Sequence, residues 1–190
     1  MSAELPSALP DELRLLLRRH PRETWAGHAN LGQLARFWLQ RHAMFRELDG
    51  MIREGTAAAL ERQVDEAGFS PWLRQHVGFA VWQLEEHHQV EDHHYFPVFR
   101  QAEPRLLAGF EVLERDHDAL HGALEELVAR ANAVLRNEAG EDAAWRSDLG
   151  RFHDAQLSLG RELRRHLDDE EDLVIPLILE RGEQPLLGGM

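Results

Sequence analysis

Cysteine is absent from the 190 residues. Disulfides, thiolate nucleophiles, iron–sulfur clusters and Cys-ligated zinc or copper are therefore excluded, and any metal must live on His, Asp and Glu. No apolar run approaches the roughly 20 residues that span a bilayer. The opening stretch MSAELPSALPDELRLLLRRHP lacks the basic-then-apolar order of a secretory signal, so a cytoplasmic location is expected. Positive charge is scarce: 21 Lys and Arg stand against 34 Asp and Glu, a formal net charge of −13. Such a surface repels phosphate backbones and argues against nucleic acid as a partner. β-Branched residues are few and no alternating apolar pattern is sustained, so strands are not expected.

Leu, Ala, Glu and Arg fill the chain instead, at helical spacing. The pattern predicts a short amphipathic helix from Pro10 to about His20 and a longer one from about Asn30 to Glu54. Gly55-Thr56 reads as a break, with a short helical insert ending near Gly68. Ser70-Pro71 is an N-cap followed by a helix-initiating Pro; that helix runs to about Pro97. Glu103-Pro104 opens the next, to about Asn137, and a last helix covers about Asp142 to Arg181 after a break ending at Gly140. Four long helices with short connections predict an all-α, up-down-up-down four-helix bundle over residues 28–182. Residues 1–27 form an N-terminal extension and 183–190 a flexible tail.

Two stretches, HHQVEDHHYFP at 87–97 and HLDDEEDLVIP at 166–176, share one pattern: His, three residues, Glu, a second acid, four residues, Pro. Residues four apart on a helix share a face, with Cβ atoms roughly 5–6 Å apart. His87 with Glu91, and His166 with Glu170, can thus each aim an imidazole and a carboxylate at one point. Upstream of each copy a helix carries a His on its apolar face, His42 and His117, and His121 follows one turn after His117. Burying so many ionisable groups without a cation is costly; a metal turns them into ligands. Aligning Pro97 with Pro176 pairs His87 with His166. It leaves His88 and Asp92 opposite Leu167 and Glu171, as flanking or outer groups. For Asp92 and Glu171 a solvated helix face is the expectation.

The remaining His residues are set aside by position. His28 lies about 21 Å of helix before His42, and His76 and His153 lie about 16 and 20 Å before His87 and His166. His20, His93 and His94 are expected to face solvent. Seven ligands remain: His42, His87, Glu91, His117, His121, His166 and Glu170. That is too many for one ion. Two octahedral ions offer about twelve positions. Five His, two bridging Glu and a bridging oxide or hydroxide fill all but one.

These motifs, with DHDALH at 116–121, resemble the hemerythrin-like (HHE cation-binding) family over about residues 30–181. The resemblance implies a four-helix bundle holding an oxo-bridged pair of Fe ions on the same seven residues. In invertebrate hemerythrins the last carboxylate is an Asp five residues after its His, where this chain has Glu171. The internal repeat favours Glu170, and the choice stays open. The expected function is binding of O₂ or NO for storage, transfer or sensing, against apolar walls drawn from Trp38, Phe45, Leu84 and Phe110. The alternatives are a di-iron enzyme (oxidase, peroxidase, NO-handling or iron–sulfur-cluster repair) and a signalling module that responds to its metal state through a separate protein partner.

Overall fold

The computed structural model describes residues 5–136 and 142–188, and all regular structure among them is helical. A 3₁₀ turn, Asp11–Arg14, precedes α1 (Arg22–Trp25), α2 (Gln33–Leu60) and α3 (Glu66–Val90). A π-helical segment, Glu91–Tyr95, leads into α4 (Phe96–Ala102). A 3₁₀ turn, Pro104–Leu106, then leads into α5 (Leu107–Arg136). The chain ends with α6 (Asp142–Arg181) and α7 (Glu183–Leu187). Among the described residues no helix is long and apolar enough to cross a membrane.

The long helices fall where the periodicity places them, but several boundaries differ. α2 passes through Gly55-Thr56 without a break, and no separate insert follows. Thr56 keeps the helix by donating its hydroxyl to the Ile52 carbonyl at 2.7 Å. Gly55 serves packing, since a Cβ there would lie 2.2 Å from the Trp72 ring. α3 begins before Ser70-Pro71, because Asp65 accepts the Gly68 N–H at 2.9 Å and caps the helix earlier. The Pro10–His20 stretch forms only a 3₁₀ turn and further turns. Residues 183–187, expected to be a flexible tail, form α7 with Leu186 buried. Glu183 there accepts the Ala35 N–H at 3.0 Å. The break expected near Gly140 lies outside the described residues.

The chain divides into two compact units, each assembled from separate stretches of sequence. The first holds residues 1–43, 87–118 and 164–190. Its core is built from Phe96, Phe99, Phe110, Leu113 and the apolar end of α6, Leu173 to Leu179. Leu9, Leu16 and Trp25 belong to this core, so the N-terminal extension is packed into it. At the foot of α4, buried Glu103 accepts from Arg105 at 2.6 and 2.7 Å and from Arg181 at 2.8 Å. These bonds, led by Arg105, hold its carboxyl down at about 2.

The second unit holds residues 44–86 and 119–163. Phe45, Leu48, Ile52, Leu84, Leu124, Leu127 and Leu159 surround an apolar cavity of about 30 Å³. Gln156, on its wall, donates to the Asp49 side chain at 2.7 Å.

Candidate metal centre

Within the first unit, helical spacing brings seven side chains into two adjoining groups. His42, His87, Glu91 and Glu170 place one ligand atom each within 4.8 Å of one another, and so do His88, His117 and His166. The two carboxylates straddle the groups. Glu91 Oε1 lies 3.0 Å from His87 Nε2, and its Oε2 lies 3.6 Å from His117 Nε2. Glu170 Oε1 lies 3.6 Å from His42 Nε2, and its Oε2 lies 3.3 Å from His166 Nε2. All seven are buried or nearly so; His42, His166 and Glu170 have no exposed surface at all.

The outer edges of three imidazoles face carboxylates. Glu171 Oε1 lies 3.1 Å from His42 Nδ1, and Asp92 Oδ1 lies 2.9 Å from His117 Nδ1. Asp116 faces His166 Nδ1 at 3.7 Å, beyond hydrogen-bond length, and is itself gripped by both guanidinium nitrogens of Arg165 at 2.8 Å. Such outer carboxylates fix ring orientation and turn Nε2 inward as the free donor. Trp38 adds an N–H bond from its indole to Glu170 Oε1 at 2.6 Å. Its ring packs edge-on against His87 and Tyr95, with centroids 6.5 and 5.0 Å away. His88 and His117 stack at 4.0 Å, with Phe96 on the other face of His117 at 5.6 Å.

Without a cation these groups are electrostatically frustrated. Burial, then the neighbouring imidazoles, push His88 well below its ordinary value. Burial, then the charge of Glu170, push Glu91 well above its own. Burial opposes charge on Glu170 too, but His42 and His166 outweigh it and hold that carboxylate low. Burial works likewise against a charged His42, yet Glu170 and Glu171 raise it to about 9. The inward Nε2 atoms of His42, His88, His117 and His166 form no hydrogen bond with another protein group. Nor do both oxygens of Glu91 or Oε2 of Glu170. Buried polar atoms are seldom left so. A divalent or trivalent cation would relieve this frustration, because it takes imidazoles in their neutral form and carboxylates in their ionised form.

Six of the seven residues expected from the sequence are brought together: His42, His87, Glu91, His117, His166 and Glu170. His121 is not. It is exposed and lies between Glu85 and Glu125, at 3.8 and 3.4 Å. Apart from Gly109, the buried residues of α5 run Phe110, Leu113, His117, Leu120, Leu124, Leu127, Ala131, Val134. The stripe steps alternately by three and four, so after His117 it passes through Leu120 and leaves His121 outside. His88 takes the fifth imidazole place. It stands three residues before Glu91 as His87 stands four before it, and both spacings share the carboxylate's face. The doubled His at 87–88 was the available signal.

Asp92 and Glu171 are also not on a solvated face, being committed to His117 and His42. Glu170 joins the inward group while Glu171 stands behind His42. His20, expected to face solvent, bonds Glu180 at 2.7 Å. Of the expected pocket walls, Trp38 borders the centre, Phe110 lies in the same unit's core, and Phe45 and Leu84 line the cavity of the second unit.

The sequence pattern of the hemerythrin HHE cation-binding domain matches residues 33–178. No curated protein and no solved structure gives a match. With more than three-quarters of its length matched, and the paired His and Glu groups inside the match, this chain belongs to the hemerythrin HHE cation-binding domain family.

Proposed function

We propose that the protein holds two iron ions side by side and binds a diatomic ligand, O₂ or NO, reversibly at one of them. The observation that carries this reading is the way Glu91 and Glu170 each turn one oxygen to either His group. A single ion uses three to six ligands and leaves the second group unexplained. Two six-coordinate ions have about twelve positions, of which five imidazoles and two bridging carboxylates take nine. A bridging oxide or hydroxide takes two more. The open position falls to the ion on His42 and His87, which has two imidazoles where the other has three.

When bound, an iron pair supplies the electrons and the vacant position that a diatomic ligand requires. The chain's own residues supply the rest. Glu171 and Asp92 orient the imidazoles of His42 and His117, and Asp116 sets a negative charge beside His166. Trp38 fixes Glu170 and walls the His42 and His87 side. Phe96 and Phe99 help to exclude water, which slows loss of charge from the centre. Helices α2, α3, α5 and α6, with the π-helical segment that carries Glu91, would supply the ligands, in the up-down-up-down order that short connections favour.

The test is iron analysis with an absorption spectrum under O₂. Two irons per chain, and an oxygenated spectrum that reverts under vacuum, are expected. One iron per chain would overturn the paired site, and rapid autoxidation with peroxide turnover would replace reversible binding with enzymatic oxidation.

A further inference from the structure

Asp168, Asp169, Glu170, Glu171 and Asp172 form an unbroken acidic run on α6, and Asp169, Glu170 and Glu171 are buried. Adjacent carboxylates in such surroundings repel each other unless cations stand beside them. Only Glu170 belongs to the metal-facing groups. The others are met largely by the N-terminal extension, which lies before the matched residues 33–178. Ala8 N–H donates to Asp169 at 2.8 Å. Arg22 makes three bonds: Nε to Asp172 at 2.6 Å, one terminal nitrogen to Glu171 at 2.9 Å, and the other to the Asp168 carbonyl at 2.9 Å. Its guanidinium lies 5.1 Å from the centre of the buried Trp25 ring. The second oxygen of Arg22's partner Glu171 is the one that faces His42 Nδ1.

We propose that residues 7–25 form a strap that positions a metal ligand: Arg22 holds Glu171, Glu171 holds the Nδ1 edge of His42, and Nε2 of His42 is thereby fixed toward the metal. Arg22 is a positioning residue, for it touches no ligand itself. Its planar fork suits the task, because it reaches Glu171 and two further acceptors at fixed angles, where an ammonium offers a point charge. A separate ion pair of the strap, Arg19 with Glu180 at 2.7 Å, leads to no ligand and gives an internal control. The inference rests on the two-ion reading only for which ion is affected.

Cobalt(II), titrated into the metal-free full-length chain and read by its visible absorption, is the probe. Arg22→Ala weakens the second of two bound ions about tenfold, the usual effect of losing an outer-shell partner. Arg19→Ala leaves both ions unchanged. Arg22→Lys, which keeps the charge and loses the fork, does not restore affinity. In the metal-free protein, ¹⁵N NMR shows a slowly exchanging Nδ1–H on His42 in the wild type and in Arg19→Ala, and loses it in Arg22→Ala. Equal weakening by Arg19→Ala and Arg22→Ala would reduce the strap to a structural role. Full recovery by Lys, or an unchanged His42 resonance in Arg22→Ala, would equally overturn positioning. Fewer than two cobalt ions in the wild type would sink the paired site, while the NMR comparison would still decide the strap.

Discussion

A carboxylate that is to serve two ions, as proposed, needs a lone pair on each oxygen: neither oxygen of Glu91 accepts a hydrogen bond, nor does Oε2 of Glu170, while its Oε1 accepts one from Trp38 and keeps a second lone pair. The imidazoles around them divide three to two because two neighbouring side chains of α3, His87 and His88, point into different groups. Successive helical residues are about 100° apart, so adjacent His residues can address adjacent ions while sharing one carboxylate. Reading the duplicated motif as two equivalent halves hid this, since equivalence allows each half one His at that turn. The stepping of the α5 stripe that excludes His121 was, by contrast, present in the sequence. Variant metal content separates the two positions. His88→Ala is expected to retain one iron per chain where the wild type retains two, and His121→Ala to retain both. Loss of iron from His121→Ala, with none from His88→Ala, would reverse the assignment.

At the level of the helix, α2 shows how a glycine's meaning depends on what faces it. Gly50 has no heavy atom within 4 Å of where a Cβ would stand, whereas at Gly55 the Trp72 ring lies 2.2 Å away. Gly50→Ala should therefore stabilise the protein by roughly 0.5–1 kcal/mol through helix propensity alone. Gly55→Ala gains the same propensity but forces Trp72 off its stacks with Phe69 and His76. Overpacking of this kind costs about 1–3 kcal/mol, so the net change should be destabilising. Urea midpoints of the two variants check both signs, and a stabilised Gly55→Ala would show that Trp72 yields freely.

The same helix marks how far sequence carries. Periodicity located α2, α5 and α6, because their apolar stripes are long. It misread Gly55-Thr56 and Ser70-Pro71, where the deciding contacts are a distant ring and the cap from Asp65. Nor does composition announce the π segment at Glu91–Tyr95, which carries Glu91, the outer carboxylate Asp92, and the Tyr95 ring beside Trp38. Wider turns of this type recur at functional sites.

For the molecule as a whole, each of its two units buries an apolar core of its own, but among the described residues the His and Glu groups that could hold a metal all lie in the first. The first unit accordingly carries a buried electrostatic cost that the second lacks. Its carboxylates and imidazoles lie among Phe96, Phe99 and Phe110, where uncompensated charge is expensive. A cation that binds only the folded arrangement stabilises it by about 2.7 kcal/mol at a free concentration one hundred times its dissociation constant. That corresponds to about a hundredfold in the opening equilibrium that hydrogen exchange reports. Chelation should therefore lower amide protection around His42, His87 to Glu91, and His166 to Glu170 by that order. Amides around Phe152 and Leu127, in the second unit's core, should change much less. Exchange measured by mass spectrometry with and without chelator reads both regions in one experiment. An equal loss in both units would mean that they open as one cooperative block. No loss in either would mean that the seven side chains are held by packing alone, and the cation would have no part in the stability of the fold.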